Sequence, residues 1–166
     1  MSSSSPLVAV LMGSTSDWET MQHCSAQLSA LGVPHECKAI SAHRQPATLH
    51  AYVEQAEKDG VRVFIGAAGG AAHLPGVLAS LTAYPVLGVP MKGWATEGLD
   101  ALLAIAQMPG GVPVGTLAIG KAGAKNAAIL AAQILGLAHP ACDEAVRAMR
   151  AKQSEGASDL PVADAP

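Results

Sequence analysis

The tetrapeptide Ser41-Ala42-His43-Arg44 holds the densest chemistry in this chain. An arginine guanidinium donates two parallel hydrogen bonds to a phosphate, and a histidine ordinarily titrates near neutrality, so it can give and take a proton in one cycle. A His-Arg pair in a loop is most often plain solvated surface. This pair, however, lies between a strand-like segment and Pro46, a residue suited to the first turn of a helix. Upstream, Gly13-Ser14-Thr15-Ser16-Asp17 combines a glycine that allows a sharp turn, several hydroxyls and a following helix with free N–H groups, which suits an anion. Ser16 with Glu19 also reads simply as an SxxE capping box. Asp17 fits a pure phosphate site poorly and a sugar hydroxyl well. Downstream, Gly66-Ala67-Ala68-Gly69-Gly70-Ala71-Ala72-His73 lets a ligand approach the backbone closely. It lacks the GxGxxG spacing and the distal acidic residue of a dinucleotide loop, which disfavours a bulky cofactor. His73 is balanced between a core or capping role and contact with substrate.

Other reactive types form no recognisable set. Ser14 and Ser16 lie outside any GxSxG elbow, and His23, His35, His50 and His139 make no HxH or HExxH pair, so neither a hydrolase triad nor a metal is expected. The run Gly120-Lys121-Ala122-Gly123-Ala124-Lys125-Asn126 is not a P-loop; its small residues suit close approach of two helices or two subunits.

Composition narrows the class. Ten basic against 13 acidic residues give a formal charge of -3, with 3% aromatics, which argues against a nucleic-acid surface. The three cysteines match no CxxC pattern, so free thiols in a reducing cytoplasm are expected. Val63–Met91 and Ala101–Gly120 carry no formal charge and are long enough to span a bilayer, but glycines and prolines break both, so they read as buried strands and helices rather than membrane spans. No basic n-region marks the N-terminus, so a secretory signal is not expected. A length of 166 residues suits one domain with its own core.

The elements that must position these residues follow from periodicity. Strands are expected at Leu7–Met12, His35–Ile40, Val61–Ala67, Pro85–Val89 and Val112–Ile119. Helices are expected from Ser16 to Leu31, Pro46 to Asp59, His73 to Thr82, Glu97 to Met108, Ala124 to Ala138 and Ala141 to Lys152. Alternating strands and helices, with two strands nearly charge-free, predict a single-domain α/β fold. Its form is a flavodoxin-like, doubly wound, five-stranded parallel sheet of order 2-1-3-4-5 with an extra C-terminal helix. Residues 1–153 are expected to form a catalytic α/β domain, with 1–6 flexible, and 154–166 a polar tail, mobile or docked on a neighbouring subunit. In this fold the ligand lies beyond the carboxyl ends of the strands, where all the motifs above fall.

Five segments, MGSTSDW (Met12–Trp18), SAHR (Ser41–Arg44), GAAGGAAHLPG (Gly66–Gly76), LGVP (Leu87–Pro90) and QMPGGVPVGTLAIGKAGAKNAA (Gln107–Ala128), together resemble the class I PurE family of N5-carboxyaminoimidazole ribonucleotide mutases. The likeness runs from about Val8 to Leu137. It implies an isomerase of purine biosynthesis that moves a carboxylate from the exocyclic nitrogen of its ribonucleotide substrate to ring carbon C4, without cofactor or metal. By the same resemblance His43 is the catalytic histidine, acting first as acid and then as base. Ser14, Asp17 and Arg44 match substrate-binding positions, Ser41 and the Gly69-Gly70 backbone line the same site, and His73 is a second histidine there. The resemblance further implies a homo-octamer. Lys92–Gly98 departs from the pattern, with a charged Lys92 and a bulky Trp94. Two alternatives stay open: an aminoimidazole ribonucleotide carboxylase that uses free CO2, against which the AAHLPG segment speaks, and a non-catalytic module that binds a phosphoribosyl ligand.

Overall fold

The computed structural model describes residues 5–93 and 95–156. Strand β1, Val8–Met12, is buried along its whole length and pairs in parallel with β2, His35–Ala39, on one side and β3, Val63–Ala68, on the other. Beyond β3 come β4, Val86–Pro90, and β5, Gly115–Thr116, giving the expected order β2-β1-β3-β4-β5. A strand covered on both faces needs apolar residues at every position, because successive side chains point to opposite sides. Val8, Val10 and Met12 accordingly join one core cluster, and Ala9 and Leu11 join the other.

Helices α1, Trp18–Ala30, α5, Lys121–Gly136, and α6, Pro140–Gln153, cover the first face. On the second face lie α2, Pro46–Asp59, α3, Leu74–Leu81, and α4, Leu99–Ala106. The C-terminal helix is amphipathic as expected, with Val146 buried and Arg147 exposed. Alanine bulk explains the first face: Ala124, Ala127, Ala128, Ala131 and Ala132 have no exposed surface and let α5 lie close to α1 and the sheet. Burial pushes the Cys24 thiol in this layer up to about 12, and all three cysteines are free. Among the described residues no helix is long and apolar enough to cross a membrane.

Four expected boundaries shift, each for a local reason. The fifth strand shrinks from eight residues to two, because Pro113 has no N–H to donate and the segment has a partner only on its β4 side. Helix α4 begins at Leu99 because Glu97 and Gly98 have φ of 54° and 93°, outside the helical region. Helix α5 begins at Lys121, where Gly120 turns the chain. The Ser16–Glu19 capping box does not form: Ser16 lies inside a 3-10 turn, Thr15–Asp17, capped by Ser14. Trp94 and the ends of the chain, 1–4 and 157–166, lie outside the described residues, and with them most of the expected flexible N-terminus and polar tail.

One glycine on α5 tests this packing. A methyl group at Gly123 would overlap the carbonyl oxygen of Ala118, whereas one at Gly110 would meet nothing within 4 Å. Gly123→Ala is therefore expected to destabilise the fold by about 3 kcal/mol, and Gly110→Ala by less than about 0.5 kcal/mol, read from urea unfolding midpoints.

Candidate active site

The register of β1 with both neighbours ends the three strands level, so the loops after Met12, Ala39 and Ala68 leave the sheet side by side. In the first loop Ser14 accepts hydrogen bonds from the Ser16 backbone N–H at 3.2 Å and the Ser16 hydroxyl at 2.9 Å. The second loop is closed from within. Ser41, at 8% exposure a buried polar residue, accepts the Arg44 N–H on its hydroxyl at 3.2 Å. Its own N–H donates to the Gln45 side-chain carbonyl at 3.1 Å, and its carbonyl accepts the Gln45 N–H at 2.8 Å. Arg44 Nη2 then reaches across to donate to the Gly13 carbonyl at 3.3 Å.

The third loop needs strained backbone. Gly70 has φ of 60° and Ala72, which has a Cβ, has φ of 50°; such outliers gather at functional sites because the surrounding packing must hold them. The reward is the placement of His73, the residue before α3. Pro75 of that helix rests on paired glycines of β3 and β4: an added Cβ at Gly66 would lie 3.2 Å from Pro75 Cα, and one at Gly88 3.5 Å from Pro75 Cβ. So seated, His73 Nδ1 stands 2.7 Å from His43 Nε2, the rings edge to face with centroids 4.9 Å apart. Only one hydrogen fits between those two nitrogens, so one ring donates and the other accepts.

These loops line a cavity of about 490 Å³, within the usual range for a small-molecule site. Ser14, Asp17, Ser41, His43, Arg44, Gly69 and His73 all face it. Gly70 does not line it; its contribution is the turn itself. A second cavity, of about 440 Å³, opens where β4 and β5 begin, among Tyr84, Pro85 and Pro113, and offers neither histidine nor carboxylate. His35 is a structural residue: its Nδ1 lies 2.9 Å from the Val33 carbonyl, which can only accept, and its Nε2 lies 2.7 Å from the Ser25 hydroxyl. Among the described residues no three His, Cys, Asp or Glu side chains gather as a metal site.

Gly13 needs a different explanation from the one its sequence suggests. Its φ is not in the left-handed region, and an added Cβ would meet nothing within 4 Å. The glycine is thus not required for the turn; it leaves room on the cavity wall. The motifs give Gln45 no role, and they mark Lys92 only as a departure from the family pattern. Gln45 follows the SAHR motif directly, and Lys92 is the first charge after the long uncharged stretch.

A family model described as AIR carboxylase matches residues 7–156. The chain belongs to this family. It is 55% identical to an N5-carboxyaminoimidazole ribonucleotide mutase of Pseudomonas aeruginosa, across 95% of this chain and 96% of that one. A Bacillus subtilis protein of the same name is 58% identical, across 78% of this chain and 80% of its own length. The crystal structure of Treponema denticola PurE superposes with a TM-score of 0.82 over 90% of this chain and 92% of that one, at 24% identity, and so shares the fold. The family resemblance read from the motifs is borne out, and three of those motifs, at Met12–Trp18, Ser41–Arg44 and Gly66–Gly76, contribute residues to the cavity wall.

Burial raises the Asp17 carboxyl above its usual 3.8, while a backbone hydrogen bond from Ser14 pulls it partly back. Its charged form is therefore disfavoured in the folded state. The resulting loss of stability is absent below the ordinary carboxylate range and grows as pH rises through the raised value. Asp17→Asn is expected to melt at or above the parent temperature at pH 7, with the difference shrinking toward pH 4, while binding of a ribose-bearing ligand weakens. Gly13→Ala is expected to melt like the parent but to bind phosphoribosyl ligands at least about tenfold more weakly, as isothermal titration would show.

Proposed function

We propose that this chain is an N5-carboxyaminoimidazole ribonucleotide mutase of purine biosynthesis. What carries the reading is the 2.7 Å pairing of His43 and His73 on the wall of a cavity that also holds Arg44, Ser14 and Asp17. The mutase relatives, more than 50% identical, support it. Arg44 and the Ser14 hydroxyl bind the substrate phosphate, and Asp17 accepts from the ribose hydroxyls. His43, protonated, gives its proton to C4 as the bond between nitrogen and carboxylate breaks; the bonding pair stays on nitrogen and CO2 leaves.

The freed CO2 is held against the backbone of Gly69 and the small Ala72 side chain, which keeps it beside C4. C4 then bonds to CO2 and sheds its protons. One returns to His43 and one ends on the amine nitrogen, so the histidine finishes as it began. His73 orients the His43 ring through their shared hydrogen. No cofactor or metal takes part in this scheme.

The same reading places the protein in the cytoplasm as a homo-octamer. Supporting self-association, Leu99 and Leu103 are about half exposed one turn apart on α4, and Leu137 is 90% exposed.

His43→Asn is expected to lower turnover at least about 10²-fold while ligand binding stays within about tenfold. Full activity in that variant would refute the mechanism. Supplying each substrate in turn separates the alternatives: faster turnover of the unsubstituted ribonucleotide with bicarbonate would make the enzyme a carboxylase, and turnover of neither would leave a binding module.

A further inference from the structure

The cavity wall includes one residue that the proposed chemistry leaves without a task. Lys92 lies two residues past the end of β4, and Arg44 lies in the loop after β2. The sheet order puts β1 and β3 between those two strands, so the strands themselves run roughly 14 Å apart at ordinary strand spacing. Among the described residues, Arg44 and Lys92 are the two permanent cations on the cavity wall, and Asp17 is its single carboxylate. A carboxylated ribonucleotide brings about three negative charges, two of them on phosphate. Arg44 alone balances one.

Lys92 is paired with Glu97. Its Nζ lies 2.9 Å from Glu97 Oε2, with both side chains about 70% exposed. That contact depends on backbone most residues avoid. Glu97 has φ of 54°, and the next residue, Gly98, has φ of 93°. A Cβ at Gly98 would stand 2.8 Å from the Met91 carbonyl oxygen and 3.3 Å from Lys92 Cα. Glycine there lets the chain fold back against Met91 and Lys92 and delivers the Glu97 carboxylate to the lysine. An exposed pair of this kind is worth little in water and is easily exchanged. A substrate anion inside the cavity competes for the same ammonium where water is scarcer and charges interact more strongly.

We infer that Lys92 is a further substrate-binding residue, held in reserve by Glu97, whose ammonium transfers from that carboxylate to an anionic group of the bound ribonucleotide. This rests on the mutase reading above and adds a determinant of affinity to it. Lys92 does no proton transfer, so its contribution falls on KM rather than kcat.

The test compares the parent chain, Lys92→Met, Glu97→Gln and the double variant, with the N-carboxylated ribonucleotide as substrate at low and high salt. Lys92→Met is expected to raise KM about tenfold with kcat within about twofold, and to flatten the rise of KM with salt. Glu97→Gln is expected to leave KM unchanged or lower it, because it releases the lysine, and the double variant is expected to behave like Lys92→Met. Equal rises in KM for both single variants would overturn the inference, since a merely structural ion pair suffers alike from losing either partner. So would Lys92→Met with parental KM and salt dependence.

Inhibition by the unsubstituted ribonucleotide identifies the anion: weakening by Lys92→Met places the ammonium on the phosphate, and a loss confined to the N-carboxylated substrate places it on the carboxylate. If the parent chain turns over neither substrate, the mutase reading fails. The affinity of the N-carboxylated ribonucleotide for the parent and Lys92→Met then decides the lysine's role: weaker binding by the variant upholds it, and equal binding overturns it.

Discussion

The parallel pairing of β1 with both β2 and β3 is the constraint on which everything else in this molecule rests. A buried strand must satisfy its backbone N–H and C=O groups on both sides, and Val8–Met12 does so through one continuous register from Val8 to Met12 on each side. Two consequences follow. The three strands finish level, and the ladder runs on past their ends, with the Ile40 N–H donating to Met12 at 2.9 Å and the Met91 N–H donating to Ala68 at 2.9 Å. The loops therefore start from fixed points on a rigid edge, and His43 and His73, which follow β2 and β3, meet over the end of the strand between them.

Small side chains decide how close the helices come to that sheet. The glycine pair Gly66 and Gly88 lets Pro75 sit nearly on the backbone, which lowers the start of α3 and brings His73 within hydrogen-bonding distance of His43. Alanines serve the other face in the same way, where buried Ala124, Ala127, Ala128, Ala131 and Ala132 replace the bulk that leucines would supply. The chain's shortage of aromatic residues is thus the counterpart of its close packing: among the described residues Phe64 is the one aromatic side chain of the large, fully buried set. Burial is shared over many short contacts, each lost if a methyl group is added in the wrong place.

Within the cavity, rigidity and charge are divided between neighbours. Ser41 and Gln45 close the loop that carries His43 and Arg44 through bonds internal to the loop, so the histidine need not be ordered during the reaction. Asp17 is left partly desolvated, poised for a hydroxyl donor rather than for water. Beyond β4, Lys92 and Glu97 keep an exposed, exchangeable pair on strained backbone. One part of the crevice is thus prearranged and another adjustable.

Fold class, strand order and most of the residues that line the cavity were legible in the linear chain, because each rests on local facts. Runs of apolar residues between glycines mark buried strands, Pro46 and Gly60 bracket a helix, and a parallel sheet puts every strand's carboxyl end on one edge. What remained hidden depends on partners far apart in sequence. The eight-residue strand read at Val112–Ile119 became two residues, since propensity says nothing about which backbone groups find a neighbour. Gly13 looked like a turn residue and is a piece of empty wall, which only the surrounding space reveals. His73 was evenly balanced between core and site until α3 was seated on Gly66 and Gly88. The sequence by itself determined which chemical groups sit on the working edge; the tertiary structure alone decided which of them touch, because a 2.7 Å contact between residues 30 positions apart is set by how closely a helix packs on a sheet.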